Sequence, residues 1–176
     1  ENAYQALNSK LDNLSSKIEA MQQQIADTKM QLLKNETIAD SVEATLIFDV
    51  SNIVMTDYAY LVVECSWDNT TENMREARIK LEGPTHDSSD DYYRTFTGTS
   101  YTGCVSSVGN NYGVFLINLM NTTRIPVTND NCAAGILSSG IAKMAPSEFE
   151  TIYIVGNDTD KKFTNFIFKV WGMKKW

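Results

Sequence analysis

The sequence predicts an N-terminal α-helical coiled coil followed by an all-β antiparallel sandwich or jelly-roll head. Three observations carry that reading. Apolar residues step by three and four from Tyr4 to Leu32, the period falls to two beyond Asp40, and every glycine and proline lies at or beyond Gly83. A chain of 176 residues holds one globular domain plus an accessory segment, not two enzyme domains. Its formal net charge of -7 sets up a field that repels phosphate backbones and anionic lipid, which argues against nucleic-acid and membrane-surface roles. The longest apolar run, about six residues near Cys132 to Leu137, falls short of the ~18 to 20 a bilayer span needs, so a soluble protein is expected. The chain opens at Glu1 without a Met or a secretory pattern, which predicts a piece cut from something longer.

Residues 1–42 are expected to form the stalk. In its heptad register the a sites hold Tyr4, Leu11, Ile18, Ile25 and Leu32, and the d sites hold Leu7, Leu14, Met21, Thr28 and Asn35. The flanking e and g sites (Asn8, Ser15, Gln22, Lys29; Lys10, Lys17, Gln24, Gln31) are hydrophilic. Such a stripe is narrower than the face a helix usually buries on its own domain, so self-association is the reading. A helix over 4–35 would be about 48 Å long. Leu7, Leu11, Leu14, Ile18, Met21, Ile25 and Leu32 are the expected oligomerisation residues, and the heptads leave dimer against trimer open. The seam turns polar at Thr28 and Asn35, which would fix register or let the helices splay.

Residues 43–176 are expected to form the head, with strands near 44–50, 58–67, 75–82, 92–97, 101–106, 112–120, 133–138, 150–155 and 163–171. The clearest alternation sets Ala77, Ile79 and Leu81 against Arg78, Lys80 and Glu82, while Leu61, Val63, Cys65 and Trp67 share another buried face. Turns are expected at Asp68-Asn69-Thr70, Gly83-Pro84, Val108 to Asn111, Thr128 to Asn131 and Gly156-Asn157-Asp158.

Catalytic chemistry is scarce. His86 is the single histidine and reads as a solvated residue of the Gly83–Asp87 turn, so Ser/His/Asp and Cys/His arrangements are unsupported. No phosphate-cradling or dinucleotide glycine motif occurs. Cys65, Cys104 and Cys132 are too widely spaced for a zinc set and read as buried thiols, with a Cys104–Cys132 bridge left open. The acidic runs His86–Asp91 and Asn157–Asp160 lack an EF-hand spacing and read as solvated turns, and the sequons at Asn13, Asn35, Asn69, Asn121 and Asn157 follow from an Asn-rich composition. No enzyme activity, metal or cofactor is expected. What could bind a ligand is an aromatic and polar set: Tyr92, Tyr93, Arg94 and Tyr101 around Asp90 and Asp91, and a second tip at Asn110, Asn111 and Tyr112. A ring face packs on the apolar side of a sugar while carboxylates and amides take its hydroxyls.

The order of parts, a heptad stalk from Tyr4 to Leu32 running into a strand-rich head that ends on Phe166-Ile167-Phe168-Lys169-Val170-Trp171, resembles the distal fibre and receptor-binding proteins of viruses, tailed bacteriophages especially. The resemblance implies a homotrimer carried on the virion, assembled in the host cytoplasm, whose heads bind a cell-surface glycan or protein. Heads of the complement-C1q and tumour-necrosis-factor type are also similar, and a head that only caps or registers a longer fibre would need the same stalk.

Overall fold

The structure is a computed structural model that describes residues 2–40, 43–68, 74, 76–86, 91–95, 103–105, 111–131 and 136–175. It opens with helix α1 (Asn2–Thr28). Among the described residues eleven strands follow: β1 (Gln31–Asp40), β2 (Thr45–Asp49), β3 (Tyr58–Ser66), β4 (Ala77–Glu82), β5 (Tyr92–Thr95), β6 (Cys104–Val105), β7 (Tyr112–Asn118), β8 (Ile125–Asn131), β9 (Ile136–Ala142), β10 (Thr151–Gly156) and β11 (Thr164–Lys174). They form two antiparallel sheets, one of seven strands in the order β1-β11-β3-β7-β8-β9-β5 and one of four in the order β2-β10-β4-β6. The head is therefore sandwich-like, as the two-residue alternation predicts, and a single helix precedes it.

The sheets face each other across an aromatic core. Phe48 of β2 stacks on Phe168 of β11 with ring centroids 3.7 Å apart, and Phe166 lies 5.9 Å from both Phe48 and Trp67. Phe163 meets the edges of Trp67 and Phe166. Each such ring removes a large apolar area from water, so this cluster joins the sheets more strongly than any one hydrogen bond. The Trp67 indole N–H, which burial would otherwise orphan, donates to the Met74 carbonyl at 2.6 Å.

Three expectations need correction. The helix stops at Thr28, so 1–42 is not one stalk: Leu32 and Asn35 lie on β1, an edge strand of the head. β11 pairs with β3 along one edge, and β1 satisfies the backbone groups of the other, eight residues of it in register from Gln31↔Gly172 to Asp40↔Thr164. The heptad step at Leu32 is thus a coincidence of spacing, and a bulge between Leu32 and Lys34 sets Leu33 over Gly172. Second, Thr128–Asn131 is not a turn but the second half of β8, and the strand expected over 133–138 is β9, over Ile136–Ala142. Pro126 is tolerated there because the ladder with β7 begins at Val127, so no bond to β7 is lost. Third, His86 is not solvated; its side chain is buried. The Gly83-Pro84 turn itself is as expected, closed by the His86 N–H on the Gly83 carbonyl at 3.2 Å.

Strand direction gives the head two ends. β1 runs away from the helix, β11 back toward it and β3 away again, so Tyr58, Asn118, Ala142 and Lys174 mark the stalk end while Ser66, Tyr112 and Thr164 mark the far end.

Candidate functional site

Helix α1 carries its apolar stripe exposed. Tyr4, Leu7, Leu11, Leu14, Ile18, Met21 and Ile25 are between 54% and 71% exposed. Neither end has charges that suit the helix dipole, with no acid in the first turn and no base in the last. The helix of 27 residues is about 40 Å long, and the stripe stays exposed among the described residues.

The head offers two unlike outer faces. On the four-stranded sheet the charged outward side chains of β4 are matched: Arg78 pairs with Glu76 at 3.0 Å, Lys80 pairs with Glu82, and the Lys80 ammonium lies 5.9 Å from the Tyr153 ring centre. On the seven-stranded sheet, directly paired residues share a face, which lines up Leu32, Trp171, Val62 and Leu116 across β1, β11, β3 and β7. One step further from the stalk, Asn35, Lys169, Glu64 and Val114 form the next row. Glu64 is its centre: Oε2 accepts the Trp171 indole N–H at 2.8 Å and Oε1 accepts the Tyr112 hydroxyl at 3.4 Å. Partial burial, then the Glu64 charge, pushes the Tyr112 phenol above its ordinary value.

Of the residues expected to bind ligand, Tyr93 is buried, its ring lying over Gly140, where an added Cβ would come within 2.1 Å of Tyr93 Cδ1. Asp91 is also withdrawn from solvent. Its Oδ2 meets His86 Nε2 at 2.9 Å and accepts the Tyr93 hydroxyl at 3.4 Å, and its Oδ1 accepts the Lys143 backbone N–H at 2.9 Å. These bonds tie the segment before β5 to the end of β9. Tyr92 and Arg94 are placed as backbone of β5 opposite Ile141 and Ser139. Asp90 and Tyr101 lie outside the described residues, as do Asn110, Cys132 and the side chain of Cys104. Asn111 is buried in a left-handed conformation at φ 54°, and its carbonyl accepts the Trp67 N–H at 3.0 Å. Its side-chain Nδ2 finds no hydrogen-bond partner among the described residues. Tyr112 beside it is 48% exposed.

The register separates the two expected clusters. Tyr92 pairs with Ile141, level with Tyr60, whereas Tyr112 pairs with Ser66. Six strand residues and three strand spacings put them about 20 Å apart along the sheet and about 14 Å across it. They cannot grip one small ligand. Asp68 and Asn165 lie at the same far end as Tyr112: Asn165 Nδ2 donates to Asp68 Oδ2 at 2.6 Å, and the Asn165 φ is 49°. The 158–161 turn, closed by the Asp160 N–H on Asp158 Oδ1 at 2.9 Å, precedes β11 at the same end. Glu64, Trp171, Asp68 and Asn165 are residues the sequence reading missed. Only Glu64 left a signal, as the acid opposing Leu61, Val63 and Cys65 in a period-two run. Among the described residues no three His, Cys, Asp or Glu side chains converge as a metal set.

No protein-family model and no curated protein sequence matches the chain. Among solved structures, the CBM2 module of Lactobacillus casei BL23 phage J-1 evolved Dit is similar at TM-score 0.38 and 8% identity, over 80% of this chain and 78% of that one. Ruminococcus gnavus IT-sialidase CBM40 is similar at TM-score 0.32 and 10% identity, over 82% and 91%, and the same module bound to α2,3-sialyllactose at 0.31 and 9%, over 81% and 91%. Likeness at these scores carries no argument about function. The sandwich architecture rests on the strand pairing of this chain.

Proposed function

We propose that this chain is the attachment end of a trimeric viral or bacteriophage fibre, a non-enzymatic module carried on the virion that recognises a cell-surface glycan or protein. The observation that carries the reading is the exposed heptad stripe of α1, which Lys29 and Met30 connect to the first strand of the sandwich. Seven large apolar side chains at a and d spacing are unstable in water and fit copies of themselves, each worth about 1.5 to 3 kcal/mol when fully buried. A bundle so formed points the far ends of the heads away from the fibre, which puts Tyr112, Asp68 and Asn165 where a receptor would arrive. An exposed phenol ring at the same end of the sheet as a carboxylate and an amide suits a sugar, whose apolar face stacks while its hydroxyls bond. Three weak copies on one stalk gain strength by avidity.

Sedimentation of the whole chain, followed by a glycan array and a cell-binding assay, tests this. A trimer that binds, and whose Tyr112→Ala variant stays trimeric but loses at least about tenfold in affinity, supports the reading. A monomer, or a trimer that binds neither glycans nor cells, overturns it, and the latter marks the head as a cap.

A further inference from the structure

We infer that the stalk-proximal half of the outer face of the seven-stranded sheet, the row Leu32, Trp171, Val62 and Leu116, is the surface by which the heads of neighbouring copies pack on one another. The inference rests on the self-association of α1 proposed above. Chain geometry is the first support. Leu32 follows Thr28 by four residues, at most about 14 Å of chain, and helices in a parallel bundle lie about 8 to 10 Å apart. No linker exists to carry β1 away from the bundle axis, so the copies of Leu32 are held close together, and the face Leu32 belongs to is held there with them.

The side chains agree. Met30 and Leu32, directly after the helix, are 47% and 48% exposed, and Leu116, three strands along the same row, is 41% exposed. They continue the helical stripe onto the sheet. On the opposite outer face Ile47 stands beside Tyr153, with the ion pairs of Arg78 and Lys80 one strand further on. The acid nearest the row is prepared for loss of water: both oxygens of Glu64 already accept hydrogen bonds, and Lys169 stands opposite it in the ladder. Tyr112 pairs with Ser66, four pairs further from the stalk than the Val62–Leu116 pair.

Leu116→Cys and Ile47→Cys variants of the whole chain test the inference. Each is treated with a maleimide as it stands and again with Ile18→Asn and Ile25→Asn in the stalk, and labelling is read peptide by peptide by mass spectrometry. Both positions are exposed in the single chain, so neither change threatens folding. The expected result is that position 116 labels at least about tenfold more slowly in the oligomer than in the stalk-broken chain, while position 47 labels equally in both. Equal labelling at 116 in a chain that sediments as an oligomer overturns this inference alone. A chain that is monomeric before any stalk substitution overturns both it and the reading it rests on.

Discussion

Glu64 does at residue scale what a bare sheet surface cannot: it fixes two aromatic side chains from different strands. Removing its charge by Glu64→Gln is expected to lower the Tyr112 titration point, without returning it fully, because partial burial is the larger cause of the raised value. Ultraviolet titration of phenolate in wild type against E64Q and Tyr112→Phe reads this directly. The sign for stability follows: a phenol held neutral in the fold contributes fully below the unfolded value near 10 and loses that contribution as pH climbs through the folded one. Cys65 behaves alike. Burial pushes its thiol from 9.0 to about 12, so it is expected to resist alkylation at pH 8 in the folded chain, react on unfolding, and favour the fold less as pH rises above 9. Peptide-resolved iodoacetamide labelling separates it from Cys104 and Cys132. Asp91 is the anchor at the stalk end, and Asp91→Ala strands the buried His86 and the Lys143 N–H. A loss of about 1 to 3 kcal/mol is expected, seen as a lower midpoint in a urea melt.

Among the elements, α1 is the one whose order, on the proposed reading, depends on other copies. Ile18→Asn with Ile25→Asn is expected to bring the chain to a monomer by sedimentation and to remove most helical circular dichroism, leaving the strand signal in place. Phe48→Ala is expected to act oppositely, destabilising the head by about 3 to 5 kcal/mol through loss of the stack on Phe168 while the stalk still associates. Strands β2, β3, β4, β7, β10 and β11 were legible in the sequence because each is a run of β-branched and aromatic residues with period two, as in Ala77, Ile79 and Leu81. β1 was not, since Leu32 keeps the heptad step and nothing local says that the edge of β11 needs a partner. Nor was β8, whose Thr128–Asn131 has turn composition and becomes strand only through β7 and β9 on either side. The candidate site was less legible than the fold. Trp171 and Glu64 are 107 residues apart, and only the β3–β11 register brings them together. His86 reads as a turn residue, and its burial is decided by Asp91 folding back onto it.

At the scale of the whole molecule, the trimer is expected to be an elongated rod with a knob, and small-angle scattering of the wild type against the Ile18→Asn, Ile25→Asn chain reads the loss of the rod. A trimer would carry three times the charge of -7, so its approach to an anionic cell surface is expected to quicken as added salt screens the repulsion. The strand after the helix has a mechanical consequence. β1 starts beside the helix and lies antiparallel to β11 from Gln31 to Asp40, so in a fibre of the proposed kind tension between an anchored particle and a held receptor would pull it along its own length. A ladder loaded that way must slide, straining its rungs together, instead of peeling open one rung at a time. A fibre built so would grip under flow and yield only abruptly.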